Sequence, residues 1–233
     1  MIEGEGMPRP ELPQTIRFPL THFEIEILGH TFELAGVEDV DALLDELIAK
    51  GPDSEAVKDE QIPYWADLWH AAIGMSHYLM GNTSLEGKTL LELGCGMGLC
   101  GIVAAHQGAQ VVMTDYLPEA IDLAAYNWKL NRREEPEVRL LDWRVPDLAL
   151  AADLVVASDV AYEERAHKPL INAFRTLVNP GGRILLSEPG RPHAASWLRS
   201  LSREGFKVDI IEFPVSYKNI DNLVTVYELN PTP

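Results

Sequence analysis

Three glycines at alternate positions, Gly94, Gly96 and Gly98, follow the apolar run Leu90-Leu91-Glu92-Leu93, and a helix-like stretch opens at Leu99. Without Cβ atoms the backbone there can turn sharply and approach a ligand closely, while the first N–H groups of the next helix point into the turn. A second acid, Asp115, ends the next apolar run, Ala109-Gln110-Val111-Val112-Met113-Thr114, 21 residues after Gly94. An acid at the tip of a neighbouring strand is placed to grip ribose hydroxyls. These residues offer capture of a nucleoside-bearing ligand; the alternative is a glycine-rich turn that binds nothing.

The spacing discriminates between nucleoside ligands. The dinucleotide fingerprint G-x-G-x-x-G needs a glycine at position 99, where the chain has Leu99, and the third glycine comes one residue early. The pattern is G-x-G-x-G with Glu92 two residues ahead of it. This resembles motif I of the seven-strand, S-adenosylmethionine-dependent methyltransferases. A backbone loop suits a zwitterionic methionine tail, which lacks the bulk and charge of a pyrophosphate. The resemblance implies S-adenosyl-L-methionine as cofactor, with Glu92, Gly94, Gly96, Gly98 and Asp115 around it.

Ligands of open α/β sheets lie outside the carboxyl ends of the strands. The other expected strand ends are Asp142-Trp143, Ser158-Asp159 and Glu188-Pro189. Asp142 offers a carboxylate for the adenine amine and Trp143 an indole face for stacking; the alternative is a surface acid beside a core-capping tryptophan. Ser158 joins the cofactor-contacting set. The stretch Asp153–Glu164 holds Asp159 and Tyr162, which match the D-x-x-Y signature of a methyltransferase branch that includes many protein-lysine methyltransferases. Upstream, Pro63-Tyr64-Trp65-Ala66-Asp67-Leu68-Trp69-His70-Ala71-Ala72 resembles that branch's tryptophan-alanine element, and Trp69 is the aromatic it implies beside the cofactor. Glu188-Pro189-Gly190-Arg191-Pro192 resembles a D-P-G-R-P-like segment of the lysine methyltransferases acting on electron transfer flavoprotein β-subunits, with glutamate in place of aspartate. The resemblance covers roughly residues 60–230. It implies Asp159 and Tyr162 as catalytic residues, Asp159 orienting an acceptor amine and Tyr162 bonding it or walling the methyl group. The alternative leaves Asp159 to the cofactor and Tyr162 to packing.

The elements that must position these residues follow from periodicity. Short apolar strands at 88–93, 109–114, 137–141, 152–157 and 183–187 alternate with helical stretches at 99–107, 118–130 and 165–178. Such alternation predicts a parallel sheet covered on both faces, a Rossmann-like α/β fold. A helical stripe over 65–80 precedes it, and a helix near 193–204 follows. Two late strands, 206–213 and 222–229, joined by a loop, are expected to close the sheet edge as an antiparallel hairpin, an ending typical of the methyltransferase fold. Residues 1–60 read as an N-terminal extension: a mobile tail over 1–15, a β-hairpin at 23–34, a short helix capped by Asp39 or Asp41, and a polar linker from Gly51 to about Gln61. The methyltransferase domain is expected over 61–233.

Composition narrows the partners. Thirty-six acids against nineteen bases leave a formal net charge of −17, so nucleic acid is not an expected partner. No apolar run reaches the ~18 residues that span a bilayer, and the acidic start, Met1 to Gly6, does not resemble a leader. Both cysteines, Cys95 and Cys100, sit at the glycine loop, which suits a reducing cytoplasm. The histidines show no metal-site spacing. The reading is a monomeric S-adenosylmethionine-dependent N-methyltransferase acting on a protein lysine. The alternatives are methylation of a small-molecule amine or hydroxyl, and a cofactor-binding module without turnover.

Overall fold

The computed structural model describes residues 9–82 and 84–232. In chain order the elements are β1 (Leu20–Ile27), β2 (His30–Val37), α1 (Val40–Ala49), α2 (Glu55–Lys58), a 3-10 turn (Tyr64–Ala66), α3 (His70–Asn82), β3 (Thr89–Leu93), α4 (Leu99–His106), β4 (Gln110–Asp115), α5 (Pro118–Asn131), β5 (Glu137–Leu140), a second 3-10 turn (Leu148–Leu150), β6 (Ala152–Ser158), α6 (Glu164–Leu177), β7 (Val178–Glu188), α7 (Pro192–Ser200), β8 (Phe206–Tyr217) and β9 (Ile220–Pro231). Seven strands form one sheet in the order β5-β4-β3-β6-β7-β9-β8. The first five run parallel, and β9 and β8 close the far edge antiparallel. Buried apolar runs, Leu90-Leu91 in β3, Leu154–Ala157 in β6 and Ile184–Leu186 in β7, form the sheet's centre, where helices cover both faces. β3 and β6 lie side by side where the strand order reverses, so their carboxyl ends open the crevice that binds ligands in such sheets.

The Rossmann-like reading stands, and its boundaries shift for identifiable reasons. The late strands each run longer than expected and meet in a two-residue turn, Lys218-Asn219, with φ of 50° and 61°. Left-handed φ at both turn residues matches the twist of a tight hairpin. Pro214 sits inside β8, where an edge strand tolerates it. β7 begins at Val178 rather than after Gly181-Gly182, because Val178 pairs with Ala152 and Arg183 with Leu154, and the residues between form an irregular bulge. The helix expected from Trp65 starts at His70, and the polar linker contains α2, capped by the Ser54 hydroxyl. The mobile tail expected over residues 1–15 falls partly on residues 1–8, which lie outside the described residues.

The N-terminal hairpin pairs only with itself, yet it shares the main core. Ile27, Phe32 and Leu34 pack in the same buried cluster as Leu90, Met97 and Leu99. Two asparagines one helical turn apart on α5 hold β2. Asn127 accepts from Ala35 N–H at 2.7 Å and donates to Ala35 C=O at 3.1 Å and to Met97 C=O at 3.0 Å. Asn131 repeats the exchange with Glu33, at 2.9 and 2.7 Å. Side-chain amides thus act as one more strand for an otherwise open edge.

Glu92, in the middle of β3, is 1% exposed. One carboxylate oxygen accepts from Gly101 N–H of α4 at 2.9 Å, and the other has no partner. Burial pushes its acid up to about 8, against the opposing pull of the Gly101 amide.

Two stability measurements follow. Asn127→Ala strands both polar groups of Ala35 and the Met97 carbonyl, and should cost ~2–4 kcal/mol in denaturant unfolding; a loss within error of zero would show that water replaces the amide. For Glu92, the native state keeps a proton between the ordinary value of 4.5 and about 8, a range where the unfolded chain has lost it. Its contribution is therefore whole below 4.5 and drains away as pH rises to about 8. Glu92→Gln should flatten the fall in Tm over that range and leave the variant more stable than wild type at alkaline pH. Parallel Tm curves would place the titrating charge elsewhere.

Candidate active site

A cavity of about 590 Å³ opens at the carboxyl ends of β3, β4 and β6 and beside the loop after β5. Its floor is the glycine loop. Gly94 has φ 66°, and a Cβ there would stand 3.2 Å from the Trp143 ring and 3.0 Å from Val160. At Gly98, with φ 80°, a Cβ would meet Met113 and Ala124 at 3.1 Å. Larger residues would therefore both strain the backbone and fill the space. Asp115 fixes the loop from the tip of β4. Its carboxylate accepts from Gly96 N–H at 3.0 Å, Tyr116 N–H at 2.7 Å and Leu117 N–H at 3.2 Å. Burial raises its pKa, and the three amides work against that rise.

Of the residues expected from the sequence, Trp69, Gly94, Gly96, Gly98, Asp115, Asp142, Trp143, Ser158, Asp159 and Tyr162 all line this cavity. Glu92 does not. It lies behind the loop and can reach a ligand only through the position it gives Gly101 and α4. An acid two residues before the glycines sits within the strand rather than at its tip, and there its side chain is covered. Asp142 lines the cavity with its carboxylate already engaged by the backbone N–H and Nε of Arg144, at 2.9 and 2.8 Å. The guanidinium of Arg144 continues to Asp59 at 2.7 and 3.1 Å.

That last contact reveals a wall that periodicity missed. Asp59, Glu60 and Gln61, read as linker, form part of the cavity wall together with Ile62. Asp59 also accepts from the Tyr116 hydroxyl, which in turn accepts from Gln61 Nε2 at 2.9 Å. Arg165 of α6 bonds the Asp59 carbonyl at 3.0 Å and pairs with Glu60 at 3.3 Å and with Glu163. The Arg144 hydrogen bonds hold the Asp59 carboxyl below the usual carboxylate range. Asp59, Tyr116, Arg144 and Arg165 escaped the sequence reading because their partners are 50 to more than 100 residues away. The one available signal was Ser54 ahead of Glu55, a helix cap inside the supposed linker.

On the other side, Asp159 follows β6 with φ 58°, its N–H bonded to Ser187 C=O at 3.0 Å. Both its oxygens meet the guanidinium of Arg191. Arg191 was quoted in the sequence as part of a motif, without a role. Tyr162 stands edge-on to Tyr64 with ring centres 5.2 Å apart, and Tyr64 edge-on to Trp69 at 5.6 Å. Trp69 donates its indole N–H to the Tyr64 carbonyl at 2.7 Å. The three rings make an aromatic rim beside Asp159, and burial pushes the Tyr162 hydroxyl's pKa up. Among the described residues no three His, Cys, Asp or Glu side chains gather as a metal site. Nor is any described helix long and apolar enough to cross a membrane.

Comparison with known proteins agrees with this geometry. A family model described as lysine methyltransferase matches residues 57–203. EEF1A lysine methyltransferase 3 of Mus musculus is 31% identical over 63% of this chain and 66% of its own. The electron transfer flavoprotein beta subunit lysine methyltransferase of Danio rerio is 32% identical over 55% of this chain and 51% of its own. Histone-arginine methyltransferase METTL23 of Homo sapiens is 28% identical over 56% of this chain and 72% of its own. The chain thus spans between about half and three quarters of these relatives. In fold it is similar to magnesium protoporphyrin IX methyltransferase from Synechocystis with bound S-adenosylmethionine, at TM-score 0.57 and 19% identity over 83% of this chain and 92% of that one. The N-methyltransferase NodS from Bradyrhizobium japonicum follows at 0.54 and 16%, over 82% and 97%. With the match over residues 57–203 carrying the glycine loop, Asp115 and the D-x-x-Y stretch, the chain belongs to the lysine methyltransferase family.

Proposed function

We propose that this chain transfers a methyl group from S-adenosyl-L-methionine to the side-chain amine of a lysine in a protein acceptor. The observation that carries the reading is that Asp159 and Tyr162 line the same cavity as the glycine loop and Asp115. The cavity volume, about 590 Å³, suits a nucleoside with an amino-acid tail. Backbone groups of Gly94 to Gly98 take the methionine tail, Asp115 the ribose hydroxyls, Asp142 and Trp143 the adenine, and Ser158 and Trp69 the space between. When bound, the cofactor supplies an electrophilic methyl carbon on a sulfonium.

Transfer needs the acceptor nitrogen in line with that carbon and carrying a free lone pair. The amine's proton leaves to solvent first. Its lone pair then forms the new N–C bond while the S–C bond breaks, the electron pair staying on sulfur as a thioether. Asp159 orients the amine, and the rings of Tyr64, Trp69 and Tyr162 exclude water around it. A cysteine pair that is free and buried, and a formal charge of −17, support a monomeric cytoplasmic enzyme that does not bind nucleic acid. The strap at Asp59–Ile62 covers the cofactor and slows its exchange.

Three outcomes are expected. Asp115→Ala should weaken S-adenosylmethionine binding in calorimetry by ~1.5–3 kcal/mol, and undiminished affinity would remove Asp115 from the site. Asp59→Ala should speed release of S-adenosylhomocysteine several-fold in stopped flow, an effect that added salt reproduces in wild type but not in the variant. A release rate unchanged by either would make the strap a passive wall. Finally, Tyr162→Phe should lower kcat roughly tenfold with cofactor affinity intact, and Asp159→Ala should do more. If Asp159→Ala instead loses cofactor affinity in proportion to rate, Asp159 serves the cofactor and the acceptor reading fails.

A further inference from the structure

A carboxylate next to an acceptor amine has two opposed effects. It orients the nitrogen, and it also favours the ammonium form, which has no lone pair to attack with. A free lysine already holds its proton to pKa ~10.4. An isolated Asp159 would raise that further and slow the transfer it is meant to assist. Asp159 is not isolated. The Arg191 guanidinium takes both of its oxygens, one Nη at 3.1 Å from Oδ2 and the other on Oδ1. Asp159 is 9% exposed and Arg191 26%, so solvent screens the pair weakly.

Arg191 is itself fixed from behind. Glu188, 2% exposed at the end of β7, accepts the backbone N–H groups of Gly190 and Arg191 and stands 3.7 Å from the same Nη that meets Asp159. The motif Glu188-Pro189-Gly190-Arg191-Pro192 is thus a bracket. Its acid ties down the turn, its left-handed glycine, φ 90°, makes the turn, and its arginine reaches across to the carboxyl end of β6.

Building on the lysine reading above, we infer that Arg191 is a positioning residue that cancels the field of Asp159, so that the acceptor binds as the neutral amine rather than as the ammonium. Arg191 holds the carboxylate's direction and offsets its charge at the same time. The remaining charged and titratable groups leave this balance in place. Glu163, from the loop before α6, is turned to Arg165. Asp115, at the tip of β4, is occupied by three backbone amides. Glu188 faces Arg191 at 3.7 Å while accepting the backbone N–H groups of the turn, and Tyr64 and Tyr162 lie edge to face in the rim, burial pushing the Tyr162 hydroxyl's pKa up. The Asp159–Arg191 pair therefore sets the electrostatics at the amine.

The test uses full-length enzyme with tritiated S-adenosylmethionine. The probe is source-cell lysate protein freed of small molecules, and methyl-lysine and methyl-arginine are counted after acid hydrolysis. Initial rates are measured from pH 6 to 10 for wild type, Arg191→Met, Arg191→Gln and Arg191→Lys. The uncharged variants should move the midpoint of the alkaline rise upward by ~1 unit or more. Near neutrality they should lose about tenfold in rate and recover most of it at the alkaline end. Their apparent KM for the lysate protein should fall or hold while kcat drops, because the ammonium binds well and reacts poorly. Arg191→Lys should keep the wild-type midpoint. S-adenosylhomocysteine calorimetry certifies each variant's fold, and if Arg191→Met fails it, Arg191→Gln carries the comparison. A midpoint that stays put, or a loss equal at every pH, overturns the inference while leaving the lysine reading standing. Wild type that puts label into methyl-arginine and none into methyl-lysine overturns the lysine reading, and this inference with it.

Discussion

The candidate site depends on one half-buried carboxylate. Asp115 ends β4 and accepts three backbone N–H groups, two from its own turn and one from Gly96 on the neighbouring strand's loop. Withdrawing an ion from water is costly unless its lone pairs find donors, and here three backbone N–H groups supply them while the carboxylate still lines the cavity. The same bonds lock two loops together before any ligand arrives. A loop of left-handed glycines would otherwise be the most mobile part of the sheet's carboxyl edge. Preorganised in this way, it can take a ligand without the cost of ordering backbone at the moment of binding.

Charge is distributed unevenly in this acidic chain. Three of its nineteen cations line the cavity. Arg144 bridges Asp142 and Asp59, Arg165 bridges Glu163 and Glu60, and Arg191 bridges Asp159 and Glu188. Single exposed pairs contribute little stability. These contribute position instead: each arginine joins a segment beyond the sheet to a loop at a strand end. The site is built as a ring of loops held by guanidinium forks, around a floor held by backbone amides.

How far the sequence disclosed this depended on distance along the chain. The strand-helix alternation, the glycine loop and Asp115 were legible because their signals are local: spacing, a run of apolar residues, an acid at a strand tip. Asp159 and Tyr162 were legible only through resemblance to a family signature. Glu92 was misplaced because a strand residue two positions before the loop looks close to the ligand in sequence and lies behind it in space. The strap over Asp59–Ile62 was invisible. The four-residue helix ahead of it carries no periodicity, and its anchors, Tyr116, Arg144 and Arg165, lie far along the chain. The hairpin was recognised as a hairpin, but its tie to the core runs through two asparagines on a helix whose surface face they would ordinarily occupy.

That tie has a consequence for the order in which the protein can be made. Among the described residues, the edge of β2 finds its side-chain partners in Asn127 and Asn131, 92 and 98 residues further on. A ribosome adding ~5–20 residues per second needs roughly 5–20 s to supply them. Throughout that interval the nascent hairpin presents an unpaired strand edge with Phe32 and Leu34 uncovered, the kind of surface that neighbouring chains on a polysome can pair with. The same amide that closes this edge also holds the Met97 carbonyl of the glycine loop. Completion of the glycine loop and the end of the nascent chain's vulnerability are therefore a single event, the docking of α5.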